Sequence, residues 1–238
     1  MKKISLTILA LTAAVGASYG QGYVAWSATP ATAIIGETNT AVISPFTTSG
    51  TQAGTNGLTV GSGSSLFTYA LFINTSSSAV ALPTTISSLT PSWTFTGLEM
   101  NNGTTANGRL ATIPGNGGSA VNVDSSYTSG TVNFLIVGFS SNIGGTGGTN
   151  IATALYDVNN WSTVGQSITG NAFFGISTEG TLSISTSSAA GTTIWGGSGI
   201  SNPLATPLYL DVLPTPEPGT MALAAIGGAS LLLFRRRK

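Results

Sequence analysis

The chain has no cysteine and no histidine among its 238 residues. Disulfides, thiolate metal sites and cysteine nucleophiles are excluded, and so is a serine-histidine-aspartate triad. Charge is scarce too, at 6% of residues. The formal net charge of zero hides an uneven distribution: Lys2 and Lys3 open the chain, Arg235, Arg236, Arg237 and Lys238 close it, and Arg109 is the only cation between them. Against Arg109 stand Glu37, Glu99, Asp124, Asp157, Glu179 and Asp211. A mildly acidic body without a basic patch lacks the phosphate attraction behind nucleic-acid binding, so nucleic acid is not an expected partner. With every lysine at a terminus, a Walker-type phosphate loop has no lysine to use.

What is present is 41% hydrophobic residues, 32 glycines and a heavy load of serine, threonine and asparagine. Disorder goes with low hydrophobicity and high charge, and this composition has neither. Short apolar, β-branched and aromatic runs alternate with Gly/Asn/Ser clusters. LFTYALFI (66–73), WTFTGLEM (93–100), AVNV (120–123), TVNFLIVGF (131–139), NAFFGIST (171–178), TLSIST (181–186) and PLYLDV (207–212) read as strands. Residues 131–139 form the most continuous apolar run and are the expected central strand. Asn-Gly at 56–57, 102–103, 107–108 and 116–117 favours tight hairpin turns. Only NIATALYDVNNW, near 150–161, carries a helical pattern. No fixed repeat period is visible, which disfavours a solenoid or propeller. The expected fold class is all-β: a single β-sandwich, jelly-roll-like, spanning 21–213.

The two ends differ from this body. Residues 1–20 run from a basic start through an apolar stretch to small Ser18 and Gly20, the order of a secretory signal peptide, with cleavage expected between Gly20 and Gln21. Near the other end, residues 221–234 are an apolar run, extended by Gly219 and Thr220, and are followed by Arg-Arg-Arg-Lys. A span needs about 17–25 apolar residues, so 219–234 is marginal as a permanent transmembrane helix. The basic tail 235–238 stays on the cytoplasmic side and acts as a membrane stop. Pro214, Pro216 and Pro218 lack N–H groups and have fixed φ, so the approach to that helix is expected to be extended. Pro216-Glu217-Pro218, a short apolar helix and a terminal arginine cluster together resemble the PEP-CTERM sorting signal of Gram-negative bacteria. The resemblance covers 214–238.

It implies export and handling by a membrane-embedded exosortase as the processing partner. It also implies an inner-membrane intermediate held by the C-terminal helix, then delivery to the cell surface or extracellular matrix in association with exopolysaccharide or biofilm. Pro216, Glu217 and Pro218 would be the recognised residues. A sortase signal needs Leu-Pro-x-Thr-Gly, and Leu213-Pro214-Thr215-Pro216-Glu217 departs from it at the last two positions. A plain C-terminal anchor without processing shares the same layout.

No residue pattern points to catalysis, a cofactor or a metal. Gly115-Asn116-Gly117-Gly118-Ser119-Ala120 formally matches a dinucleotide-binding loop but leads into Val-Asn-Val-Asp, a strand pattern where a helix is required. The six acids could form a glycosidase pair, yet nothing in their spacing selects two of them. Asp157-Val158-Asn159-Asn160 could begin a calcium loop, but the later ligands and closing glutamate are missing, and an Asx turn explains the stretch as well. Trp26, Trp93, Trp161 and Trp195 are the candidate sugar contacts, since exposed rings stack on sugar faces; rings of this size also fill cores. The expectation is a non-enzymatic exported protein that associates with extracellular polysaccharide, the alternative being a carbohydrate-binding module with a tryptophan platform.

Overall fold

The computed structural model describes residues 23–25, 36–39, 56–58, 67–76, 78–102, 121–122, 130–145, 150–184, 192–194 and 208–214. Strand β7 (Gly130–Ser140) is the centre of that structure, after β1 (Tyr23–Ala25), β2 (Gly36–Asn39), β3 (Asn56–Leu58), β4 (Phe67–Asn74), β5 (Thr94–Asn101) and β6 (Val121–Asn122). From Val132 onward every β7 residue is buried. A strand that is apolar on both faces needs cover on both faces, and each such side chain stabilises the fold by about 1.5–3 kcal/mol once fully removed from water.

β7 pairs antiparallel with the whole of β4 on one side, through residues 133–140. On the other it meets β8 (Phe173–Ile176) at residues 137–139 and β9 (Gly180–Ile184) at residues 130–134. β8 and β9 thus act as one strand interrupted at 177–179. The interruption is repaired locally: Ser177 N donates to Ile136 O at 2.9 Å, and Ile136 N donates to Ser177 Oγ, also at 2.9 Å. A buried backbone N–H that would otherwise lose its ladder partner is satisfied by a side-chain oxygen.

β5 lies outside β4, and its register shifts between Ala70 and Phe72. Three β5 residues there oppose one on β4. Gly97 takes φ +81°, a conformation that costs glycine little, and Thr96 Oγ1 donates to Leu71 O at 2.9 Å across the bulge. Beyond β8 come β11 (Leu208–Val212), β2 and β3, giving the order β3-β2-β11-β8-β7-β4-β5 with β9 also on β7. β11 is antiparallel to β8 and parallel to β2. A second sheet of described residues has the order β10-β1-β6, β10 being Thr192–Thr193. The architecture is mostly antiparallel sheet with few helices, as the alternating sequence runs predict.

The two faces of the large sheet are covered differently. On one, Phe67, Tyr69, Leu71, Ile73, Val132, Phe134 and Ile136 form a core with Leu182, Leu208, Leu210 and Ile194. Gly138 and Gly175, paired between β7 and β8, are needed here. A Cβ on Gly175 would sit 2.1 Å from Tyr209 O, and one on Gly138 would sit 2.6 Å from Leu210 Cδ2. Lack of side chains lets β11 cross at that point.

The opposite face carries Ala70, Phe72, Leu135, Val137, Phe139 and Phe174, covered by helical residues. Helices thus add a layer on this face to the expected all-β body. Helix α1 (Ile86–Ser92) buries Ile86 and Leu89, and α2 (Ile151–Asn159) buries Ile151, Ala154 and Val158, a one-face spacing. A short α3 (Trp161–Val164) follows. The helical pattern near 150–161 is therefore real, and α1 is an additional helix. Asn56-Gly57 is not a hairpin turn: it lies in β3, with Thr38 opposite Gly57. Asn102 closes the β4–β5 ladder, its Oδ1 accepting from Phe67 N at 3.0 Å. The Asn-Gly pairs at 107–108 and 116–117, and the 115–120 loop, lie outside the described residues, as do the expected signal peptide and the transmembrane segment 219–234. Among the described residues no helix is long and apolar enough to cross a membrane.

Candidate functional site

The candidate site is the last stretch of described residues before the expected sorting segment. β11 ends at Val212, and the next two residues are both held. Leu213 is 3% exposed in the helix-side core, and its N–H donates to Ala172 O at 2.8 Å. Pro214 is exposed, but its carbonyl accepts a hydrogen bond from the Trp161 indole Nε1–H. Trp161 is well placed for this. Asn160 ends α2, its N–H and its side-chain Nδ2 both donating to Tyr156 O, at 3.0 and 2.8 Å. The chain turns there, and α3 starts at Trp161, whose ring packs against the helix-side core. One indole therefore rests its apolar body on the helix-side core and gives its only donor to the Pro214 carbonyl.

The position of α2 is set in turn by Glu99. Asn150 Oδ1 accepts from Thr153 N at 3.0 Å as the N-cap, and Glu99 Oε1 on β5 accepts from Ile151 N, also at 3.0 Å. Two of the N–H groups that a helix start leaves open are thereby satisfied, one of them by the sheet. Burial pushes the Glu99 carboxyl above its ordinary pKa, opposed by this hydrogen bond. Burial also raises Asp157.

Of the predicted sugar contacts, Trp26 and Trp195 lie outside the described residues. Trp93 is 2% exposed and sits among the helix-side core residues, so its ring has no face to offer a sugar. Trp161 is half-buried and hydrogen-bonded to Pro214. Trp93 is thus a core residue, and Trp161 packs against the same core while bonding Pro214. Tyr156, on α2, is the large exposed hydrophobic side chain among the described residues.

Glu99, Glu179 and Asp211 are likewise engaged in the fold. Glu179 Oε1 accepts from Val80 N at 2.9 Å, and Asp211 is fully buried opposite Phe174 in the β8–β11 ladder. Asp157 lies within α2, so the suggested calcium loop is a helix end, and the Asx turn proposed in its place is replaced by the helix cap at Asn160. Pro216, Glu217, Pro218 and Arg235 to Lys238 lie outside the described residues, and the first of them follows Pro214 by two positions. Sequence reasoning did not find the Trp161–Pro214 contact, because nothing in the local pattern around either residue marks the other.

In a comparison with known families, residues 214–238 match the PEP-CTERM protein-sorting motif. No curated protein and no solved structure matches the chain.

Proposed function

We propose that this chain, which carries a PEP-CTERM protein-sorting motif at 214–238 and is therefore an exported exosortase substrate, is a non-enzymatic component of the cell surface or extracellular matrix. The observation that carries the reading is adjacency: the motif begins at Pro214, right after Leu213, the last buried residue among those described. The order of parts is then a folded body, a proline-rich stretch, an apolar run and a cationic end. Each has a physical task. The body is the cargo, Pro216-Glu217-Pro218 is the recognised element, 219–234 pauses in the bilayer, and Arg235 to Lys238 resist translocation.

The body itself is read as a β-sandwich carrying a helical layer on its outer face. Support comes from β11, which crosses the glycine pair, and from Ile194, next to β10, in the same core as Leu208 and Leu210. A surface rich in serine, threonine and asparagine would hydrogen-bond hydrated polysaccharide weakly and at many points, which suits a matrix component of a Gram-negative envelope or biofilm. The absence of catalysis is supported by the structural employment of Glu99, Glu179 and Asp211.

Replacing Glu217 with alanine in the native host tests the sorting role. The variant should accumulate as an uncut, membrane-associated precursor, as should the wild-type chain in a host lacking its exosortase. Normal trimming and release in both cases would leave the motif without a function.

A further inference from the structure

We infer that Trp161 is a positioning residue for processing: its hydrogen bond to the Pro214 carbonyl fixes the place and direction from which the sorting motif leaves the domain. The inference rests on the sorting reading above and extends it to a residue fifty-three positions away in sequence.

The geometry leaves little slack. Leu213 is locked by burial and by its bond to Ala172 O, so the domain ends there as a rigid body. Pro214 would be the first residue free to swing, and the indole holds it. Pro216 follows two residues later, within about 7 Å of the held carbonyl even at full extension. Proline restricts its own φ and pushes the preceding residue towards extended conformations, so Pro-Thr-Pro-Glu-Pro transmits the direction set at its base. A partner that must grip an extended segment beside a bulky domain gains when that segment is already aimed outward, because less orientational freedom is lost on binding. Trp161 meets the requirements of such a fixture. The ring is anchored in the helix-side core, and its single N–H has one acceptor.

The test uses the full-length chain in its native host, with pulse-chase measurement of precursor and mature forms by mass. Trp161→Phe keeps an aromatic ring for packing and removes the donor. It should slow conversion about two- to tenfold, the range set by one lost hydrogen bond. Its released product should melt within a few degrees of wild type. Inserting Gly-Ser-Gly-Ser between Pro214 and Thr215 leaves the indole contact intact but uncouples it from the motif, and should slow conversion by the same factor. The double variant should be no slower than either single one, since both break the same linkage.

Wild-type rates in Trp161→Phe, faster conversion after the insertion, or slowing that multiplies in the double variant would each overturn the inference. If Trp161→Phe fails to accumulate, the insertion decides alone by the same criterion. Glu217→Ala run alongside separates the two levels: an uncut Glu217→Ala with a normal Trp161→Phe sinks only the positioning role, whereas a normally cut Glu217→Ala sinks the sorting reading together with it.

Discussion

Ser177 sits 2% exposed at the break between β8 and β9, and its hydroxyl both accepts from Ile136 N and donates to Thr178 O at 2.8 Å. The first bond matters because Ile136 lies in the middle of the central strand, where water cannot replace a lost partner. Ser177→Ala should therefore destabilise the domain by about 1–3 kcal/mol, the cost of leaving a buried donor unpaired. Chemical denaturation of wild type and variant would measure it, and a change below a few tenths of a kcal/mol would show that the bulge is satisfied in another way. No residue pattern announces this role. NAFFGIST reads as a strand continuing through Ser177, and only the three-for-two register against β7 shows that the strand breaks. The tryptophans show the same limit from the other direction. An aromatic ring in a Ser/Thr-rich sequence is compatible with either side of a sheet, and Trp93 points to the core.

Among the elements, the strands were the most legible, because their alternation reflects burial on a period of two and burial holds them in place. The run 131–139 was identifiable as central for a different reason, being apolar on both faces. α1 was hidden by its own composition. Thr85-Ile-Ser-Ser-Leu-Thr-Pro-Ser92 carries Pro91 inside the helix and turn-forming residues throughout. What makes it helical is a capping box, in which Ser88 N donates to Thr85 Oγ1 at 3.1 Å and Thr85 N donates to Ser88 Oγ at 3.0 Å, together with burial of Ile86 and Leu89. Asn56-Gly57 failed as a turn signal because pairing with β2 draws it into the ladder.

The docking of α2 offers a measurable consequence. Burial raises the Glu99 pKa in the folded state, so the folded protein holds that proton more tightly than the unfolded chain. The Glu99 contribution to stability is then fully present below the unfolded carboxyl pKa and is lost as pH rises through the raised folded value. Glu99→Gln keeps an acceptor for Ile151 N and removes the titration. Relative to wild type it should gain stability as pH rises above the ordinary carboxyl range, with a shallower pH slope. Asp157, raised in the same direction, should leave part of the slope in place. Thermal midpoints across that range would show it, and an unchanged slope would mean that Glu99 ionises freely in the fold.

For the whole molecule, the organisation follows from where charge and apolar residues are placed. Nearly all cations lie at the two ends, and the described fold runs from β1 at Tyr23 to a buried Leu213. The sorting motif was legible because Pro216-Glu217-Pro218, an apolar run and a terminal arginine cluster follow one another in the order that the resemblance rests on. The helical layer over one sheet face was not, since a two-faced apolar strand demands cover without specifying its kind. Nor was the coupling between Trp161 and the start of the motif, which depends on a contact fifty-three residues apart. β11, inserted between β2 and β8, ends just before the motif begins.

Intact mass of the mature protein purified from its native host addresses the sorting account most directly. The expected species begins at Gln21 and ends beyond Pro214 but before Arg235, so that both the leader and the cationic tail are gone while β11 and its two pinned residues remain. A mass that still includes Arg235 to Lys238 in the released protein would contradict it.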